Sequence, residues 1–196
     1  MLRILQAARQ AGRCVFYAMH RRYRPGDYET WKYIAPVQTR GWKAKPLVTM
    51  VKSRFVTARA AARHMIKQNS GVIIFVTGSP ARGHVPGATA IGAAFGAIES
   101  LTENLAFEVS PFGVRVVCLR TLANTDSRSI QDTTDFLAGQ LNITKDQAMA
   151  QIAQSNFLKV PATVQDTANA AVLIASDRGR MLTGTTVNAT AGAALD

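Results

Sequence analysis

Ser79 and Arg82 are polar side chains in a setting that suits chemistry. They lie in the loop Thr77 to Ala88, punctuated by Gly78, Pro80, Gly83, Pro86 and Gly87 and placed directly after an apolar run. A hydroxyl in such a loop offers a polar contact to a substrate, and Ser79 is the candidate catalytic residue. Its ordinary reading is a loop serine and nothing more. The remaining reactive types are sparse. Cys14 and Cys118 make neither a disulfide framework nor a metal-ligand spacing, which points to a reducing compartment. His20, His64 and His84 show no ligand spacing either, so no metal site is expected.

The elements that must position this loop are legible on both sides of it. Phe55, Ala58, Ala62, Met65 and Ile66 recur at helical spacing, with Arg59, Arg63 and Lys67 between them. Gln68-Asn69-Ser70-Gly71 ends that helix, with Gly71 expected at positive φ. Val72-Ile73-Ile74-Phe75-Val76 is continuous and β-branched, as in a strand buried on both faces. After the loop, Ile91, Phe95, Ile98, Thr102, Leu105 and Val109 advance by threes and fours along one stripe. Ser110-Pro111-Phe112-Gly113 stops this second helix, and Val114 to Leu119 reads as another buried strand. Thr144 with Gln147, and Thr163 with Asp166, carry helix-start signals, the latter for a helix Val164–Ser176. Thr185 to Ala189 reads as a last strand. Helix and strand alternate, which predicts an α/β fold with a parallel sheet flanked by helices.

The first 50 residues differ in kind. The formal net charge is +11, and residues 1–70 contain 15 Lys/Arg against 2 Asp/Glu. The whole excess is therefore in the first third. A solvated basic face accounts for this, as does a nucleic-acid or anionic partner or a targeting arm. Met1–Gly12 suits a short basic helix, and Cys14–Met19 suits a strand. The acid-free stretch Met1–Met19 has some features of a mitochondrial transit peptide, although it is poor in serine. His20-Arg21-Arg22-Tyr23-Arg24 and Trp31-Lys32-Tyr33 interleave cations with aromatics that can stack on single-stranded nucleic acid, a minor reading without a recognised module around it. No apolar stretch approaches the roughly 18 residues of a membrane helix, so no membrane partner is expected. The cytoplasm is the expected location.

Five segments together resemble the short-chain dehydrogenase/reductase family. They are Thr57 to Ile66 with Ser70-Gly71-Val72-Ile73-Ile74; Ile98-Glu99-Ser100-Leu101-Thr102-Glu103-Asn104-Leu105-Ala106; Phe112-Gly113-Val114-Arg115-Val116; Ala170 to Asp177; and Thr183-Gly184. The resemblance spans about residues 51–196 and divides the chain into a basic segment, 1–50, and the C-terminal part of a Rossmann-like domain, 51–196. It implies a truncated Rossmann-like sheet and an NAD(P)-linked oxidoreductase ancestry. In the family a tyrosine does the acid–base work, a lysine four residues on lowers its pKa and holds the ribose, a serine orients the substrate, and an asparagine positions a water. The matching positions here are Ile91 for tyrosine, Phe95 for lysine, Gly78 (with Ser79 beside it) for serine and about Met50 for asparagine.

Isoleucine and phenylalanine carry no group that can donate a proton or hold a ribose hydroxyl. The Gly-rich cofactor turn is missing too, since Gly12, Gly26 and Gly41 are far apart, and the family's proline-glycine turn is here Thr121-Leu122. Thr125 is an ordinary loop hydroxyl that could still touch a phosphate. NAD(P) is thus implied by resemblance alone, and the chain is expected to be inactive by itself. One rival is an oligomerisation partner of an intact relative, or a homo-oligomer, through the helices near Arg54–Lys67 and Ala90–Val109. Another is an unconventional enzyme using Ser79 or Arg82. A further reading has residues 1–50 replacing the family's nucleotide-binding half through a shifted frame or start. If the family's strand order holds, Val72–Val76 is left as an apolar edge needing a cover, from Cys14–Met19, from Pro46–Val51 or from a partner chain.

Overall fold

The computed structural model describes residues 15–18, 45–83 and 88–196. The expected helix Met1–Gly12 and the basic-aromatic arm His20–Lys45 lie outside the described residues, apart from Lys45 itself. Four strands form one sheet: β1 (Val15–Ala18), β2 (Gly71–Gly78), β3 (Val114–Thr121) and β4 (Thr185–Ala189). Their order is β1-β2-β3-β4, and every pairing is parallel. Among the described residues, five α-helices accompany them: α1 (Lys45–Gln68), α2 (Thr89–Val109), α3 (Arg128–Leu141), α4 (Lys145–Gln154) and α5 (Val164–Ala175). This is a Rossmann-like α/β architecture, with the parallel sheet expected from the alternation of elements.

The sheet separates two cores because strand side chains alternate between faces. Ile73 and Phe75 of β2, with Val114, Val116 and Cys118 of β3, pack under α1 and α2. Val72, Ile74, Val117 and Leu119 turn the other way, onto Ala171 and Ile174 of α5. Both faces being covered explains why these strands read as unbroken apolar runs.

The apolar edge of β2 is covered by the first of the expected candidates. Val15 to Ala18 pair in register with Val72 to Phe75. The second candidate is corrected: Pro46–Val51 is the first part of α1, not a strand. Pro46 is in the helix's first turn, where a missing N–H costs little. The buried stripe then runs Met50, Arg54, Ala58, Ala61 or Ala62, and Met65 at steps of three and four. Phe55, expected on this stripe from its spacing, falls off it and is 45% exposed.

Two turns define how the helices enter the strands. Asn69, not Gly71, takes the left-handed conformation after α1, with φ 51°. Gly71 is needed for room, because a Cβ there would stand 2.4 Å from the Met65 sulfur. After α2, Ser110–Phe112 makes one 3₁₀ turn and Gly113 reverses the chain at φ 72°. The Thr144/Gln147 and Thr163/Asp166 capping boxes both form, and α5 ends at Ala175, one residue before the expected limit. Helix α3, capped by the Ser127 side chain, was not anticipated individually.

Ala191 adopts φ 52°, a conformation that strains a residue with a Cβ. Relief of about 1–2 kcal/mol outweighs the extra unfolded freedom of glycine, about 0.4–1 kcal/mol. Ala191→Gly is therefore expected to raise the thermal midpoint by about 1–3 °C, read by differential scanning calorimetry. A midpoint that falls would contradict the assignment of strain.

Candidate functional site

In open α/β sheets, ligands bind beyond the carboxyl ends of the strands. Here that end is formed by the 3₁₀ turn Ser79–Ala81 after β2, the segment Leu122–Ser127 after β3, and Thr190–Asp196 after β4. Ser79 opens the first of these segments, and its backbone carbonyl accepts the Arg82 and Gly83 N–H groups at 3.1 and 2.7 Å.

Of the four positions that carry chemistry in the family, Met50, Ile91 and Phe95 take part in one apolar core, and Gly78 lies against Phe95. Ile91 and Phe95 on α2 pack against the core shared by α1, α2 and the sheet. A Cβ built on Gly78 would lie 3.1 Å from Cε2 of Phe95, so the phenyl ring closes over the place a serine would occupy. Met50 is buried, with its backbone carbonyl accepting from Ser53 Oγ and Arg54 Nη1. Thr121, at the start of the would-be proline-glycine turn, is buried and donates its hydroxyl to the Thr77 carbonyl. Thr125 donates to the Ala162 carbonyl and so joins two loops. None of these groups fits a nicotinamide ribose or a proton relay, and no step through NAD(P) follows from them.

Polar chemistry at this end belongs instead to a buried ionic cluster. Arg120 on β3 is 1% exposed and Glu99 on α2 is 2% exposed. Arg120 Nε and Nη2 donate to the two Glu99 oxygens at 2.8 and 3.0 Å, the fork geometry that suits guanidinium to carboxylate. Arg82 Nε adds a bond to Glu99 Oε2 at 3.3 Å, and Thr77 Oγ1 one to Oε1 at 3.5 Å. Arg120 Nη1 donates to Asp196 Oδ1. Burial pulls the Arg120 pKa down, but its bonds to Glu99 and Asp196 outweigh that, and the net direction is upward. Asp196 moves down from the ordinary carboxylate value because of the same bond. Arg54, also buried, donates Nη1 to Met50 at 3.3 Å, while its Nε has no hydrogen-bond partner among the described residues. Burial lowers its pKa.

The sequence reading missed this cluster, although one signal was present. Glu99 lies four residues after Phe95 and three before Thr102, on the apolar stripe itself.

Cys118, beside Thr77 Oγ1 at 3.3 Å, has its thiol pushed up to about 11 by burial. The unfolded thiol ionises first as the pH rises, so this group's contribution to stability falls between its ordinary value of 9.0 and about 11. Native protein at pH 8 is expected to resist iodoacetamide at Cys118, with alkylation appearing only on unfolding. Rapid native labelling at this residue, mapped by peptide mass spectrometry, would contradict the buried placement.

Comparison with known proteins agrees with this fold. A family model described as enoyl-(acyl carrier protein) reductase matches residues 35–194. The short-chain reductase protein NovJ of Streptomyces niveus is 32% identical over 133 residues, covering 68% of this chain and 48% of that protein. The inactive 2-(S)-hydroxypropyl-CoM dehydrogenase 2 of Xanthobacter autotrophicus is 29% identical over 164 residues, covering 81% and 61% respectively. The crystal structure of sorbitol-6-phosphate 2-dehydrogenase SrlD from Erwinia amylovora superposes with TM-score 0.73 at 20% identity, over 98% of this chain and 75% of that one. The chain belongs to the short-chain dehydrogenase/reductase family, a family of oxidoreductases built on the Rossmann-like fold. It spans about half the length of curated relatives such as NovJ. No helix among the described residues is long and apolar enough to cross a membrane.

Proposed function

We propose that this chain is a non-catalytic member of its family, which transfers no hydride and acts as an oligomerisation partner of an intact relative or of a second copy. One observation carries the reading: the tyrosine and lysine positions are Ile91 and Phe95, both partly buried and packed against the core, with the Phe95 ring against Gly78. A side chain that supplies packing there supplies no proton and no grip on a ribose. The Xanthobacter autotrophicus relative, itself named as inactive, gives the reading a parallel within the family.

Oligomerisation is supported by apolar side chains left exposed on α1 and α2: Phe55, Val56 and Phe107, the last 86% exposed. A cytoplasmic location accords with the free, buried Cys118. The basic arm's nucleic-acid reading rests on residues outside the described set, and it does not enter this proposal.

The test is turnover. Folded protein is assayed for NADH and NADPH oxidation with a panel of carbonyl compounds, beside a Ser79→Ala variant. The expected result is no turnover from either. Turnover that Ser79→Ala abolishes would overturn the proposal and make Ser79 catalytic. Co-purification with an intact relative, weakened by Phe107→Lys, is the expected result for the oligomer.

A further inference from the structure

Arg120 presents an unusual arrangement at the carboxyl end of the sheet. Glu99 holds two of its donors in a bidentate pair, which fixes the plane of the guanidinium inside the core. The third donor, Nη1, is satisfied by the side chain of Asp196. Asp196 is 61% exposed, whereas Arg120 is 1% exposed. The two partners therefore differ sharply in what separation costs them. A freed Asp196 is solvated by water, but Arg120 without an acceptor is a buried donor left unmade.

The same carboxylate has other neighbours of the right kind. Its Oδ2 accepts from Asn188 Nδ2 at 3.4 Å, and the charge on Arg82 favours its ionised form. Arg82 is half-exposed and is itself oriented by Glu99. Arg82 and Arg120 carry two positive charges against the one of Glu99, so the group formed by these three retains one positive charge. A single carboxylate neutralises it.

We propose that Arg120, Arg82 and Asn188 form a binding site for a small carboxylate, and that the side chain of Asp196 occupies this site in cis. The receptor is preorganised by Glu99, so an incoming carboxylate needs no rearrangement of the arginine. It has only to displace the exposed side chain of Asp196 from the cation, while Thr190 and Ala194 stay buried in place. This site is separate from the packed-over positions Ile91, Phe95 and Gly78, and it stands whether or not the chain is catalytic.

The test uses the full chain with Asp196→Ala and acetate as the probe. Thermal midpoints are followed as acetate is added, with sodium chloride at matched ionic strength as the reference. The expected result is a half-saturating acetate concentration at least tenfold lower for Asp196→Ala than for the unaltered chain. Adding Arg82→Gln should reverse most of that gain. Should Asp196→Ala fail to fold, the isosteric Asp196→Asn takes its place, with a smaller decrease in the same direction. Equal responses to acetate and chloride, or equal acetate dependence with and without the Asp196 carboxylate, would overturn the proposal.

Discussion

Glu99→Gln is expected to lower the folding stability by about 3–5 kcal/mol, the range for breaking a buried ion pair from one side. Glu99 alone among the described residues faces Arg120 from inside the core, and it takes both forks of that guanidinium. Glutamine keeps the shape and one acceptor, but it leaves Arg120 a buried cation whose one remaining countercharge among its bonded partners is Asp196. In addition, Arg82 loses its acceptor, at little cost because it is half-exposed. Urea denaturation measures the difference. The companion measurement is the double replacement Glu99→Met with Arg120→Met, which removes both charges and is expected to be less destabilising than Glu99→Gln. If Glu99→Gln costs under 1 kcal/mol, the pair contributes no more than a surface salt bridge, and the buried cluster is misdescribed.

Arg115→Met is the second large effect, expected at about 2–4 kcal/mol. Arg115 projects from β3 on the face opposite Arg120. Its Nη1 donates to the carbonyls of Gly179 and Leu182 at 2.8 and 3.1 Å, and Nη2 to those of Ile174 and Ser176 at 2.8 and 3.5 Å. These carbonyls belong to the end of α5 and the turn leading to β4, where the helix dipole presents its negative end. One planar cation thus fastens the helix end and the turn to the sheet. Each hydrogen bond from a charged group contributes about 1.5–3 kcal/mol, and water entering the partly buried site recovers part of the loss. Arg115→Lys is expected to recover less than half, since an ammonium cannot span the fork. A thermal midpoint drop below about 3 °C for Arg115→Met would contradict the clamp, because about 1 kcal/mol corresponds to about 2–4 °C at this chain length.

The contrast between these two arginines illustrates what the sequence allows to be read. Arg115 stands in the segment Phe112 to Val116, where family resemblance and the glycine turn fix both strand and register. The strands themselves were legible because unbroken β-branched runs have few alternatives. The caps at Thr144 and Thr163 were legible because their hydrogen bonds are local. Arg120 lies just before Thr121-Leu122, and nothing local marks it as buried or paired. Its partners Glu99 and Asp196 are 21 and 76 residues away, and pairing at that range depends on how α2 and the segment after β4 pack onto the sheet. Met50 and Arg54 were harder for another reason. Pro46 and the short apolar run Leu47–Val51 suit a strand as well as a helix, and only packing against α2 and β2 decides between them. The emptiness of the hydride-transfer positions needed no structure, since Ala88–Thr102 contains neither tyrosine nor lysine. What the structure adds is that Ile91 and Phe95 are packing residues.

Titration of the folded protein with NADH and NADPH, following nicotinamide fluorescence up to millimolar cofactor, tests the central claim most directly. The account predicts no saturable change for either nucleotide. Saturable binding of either one would contradict it, because a nucleotide site would then exist without the lysine or the glycine turn on which the family's own site depends.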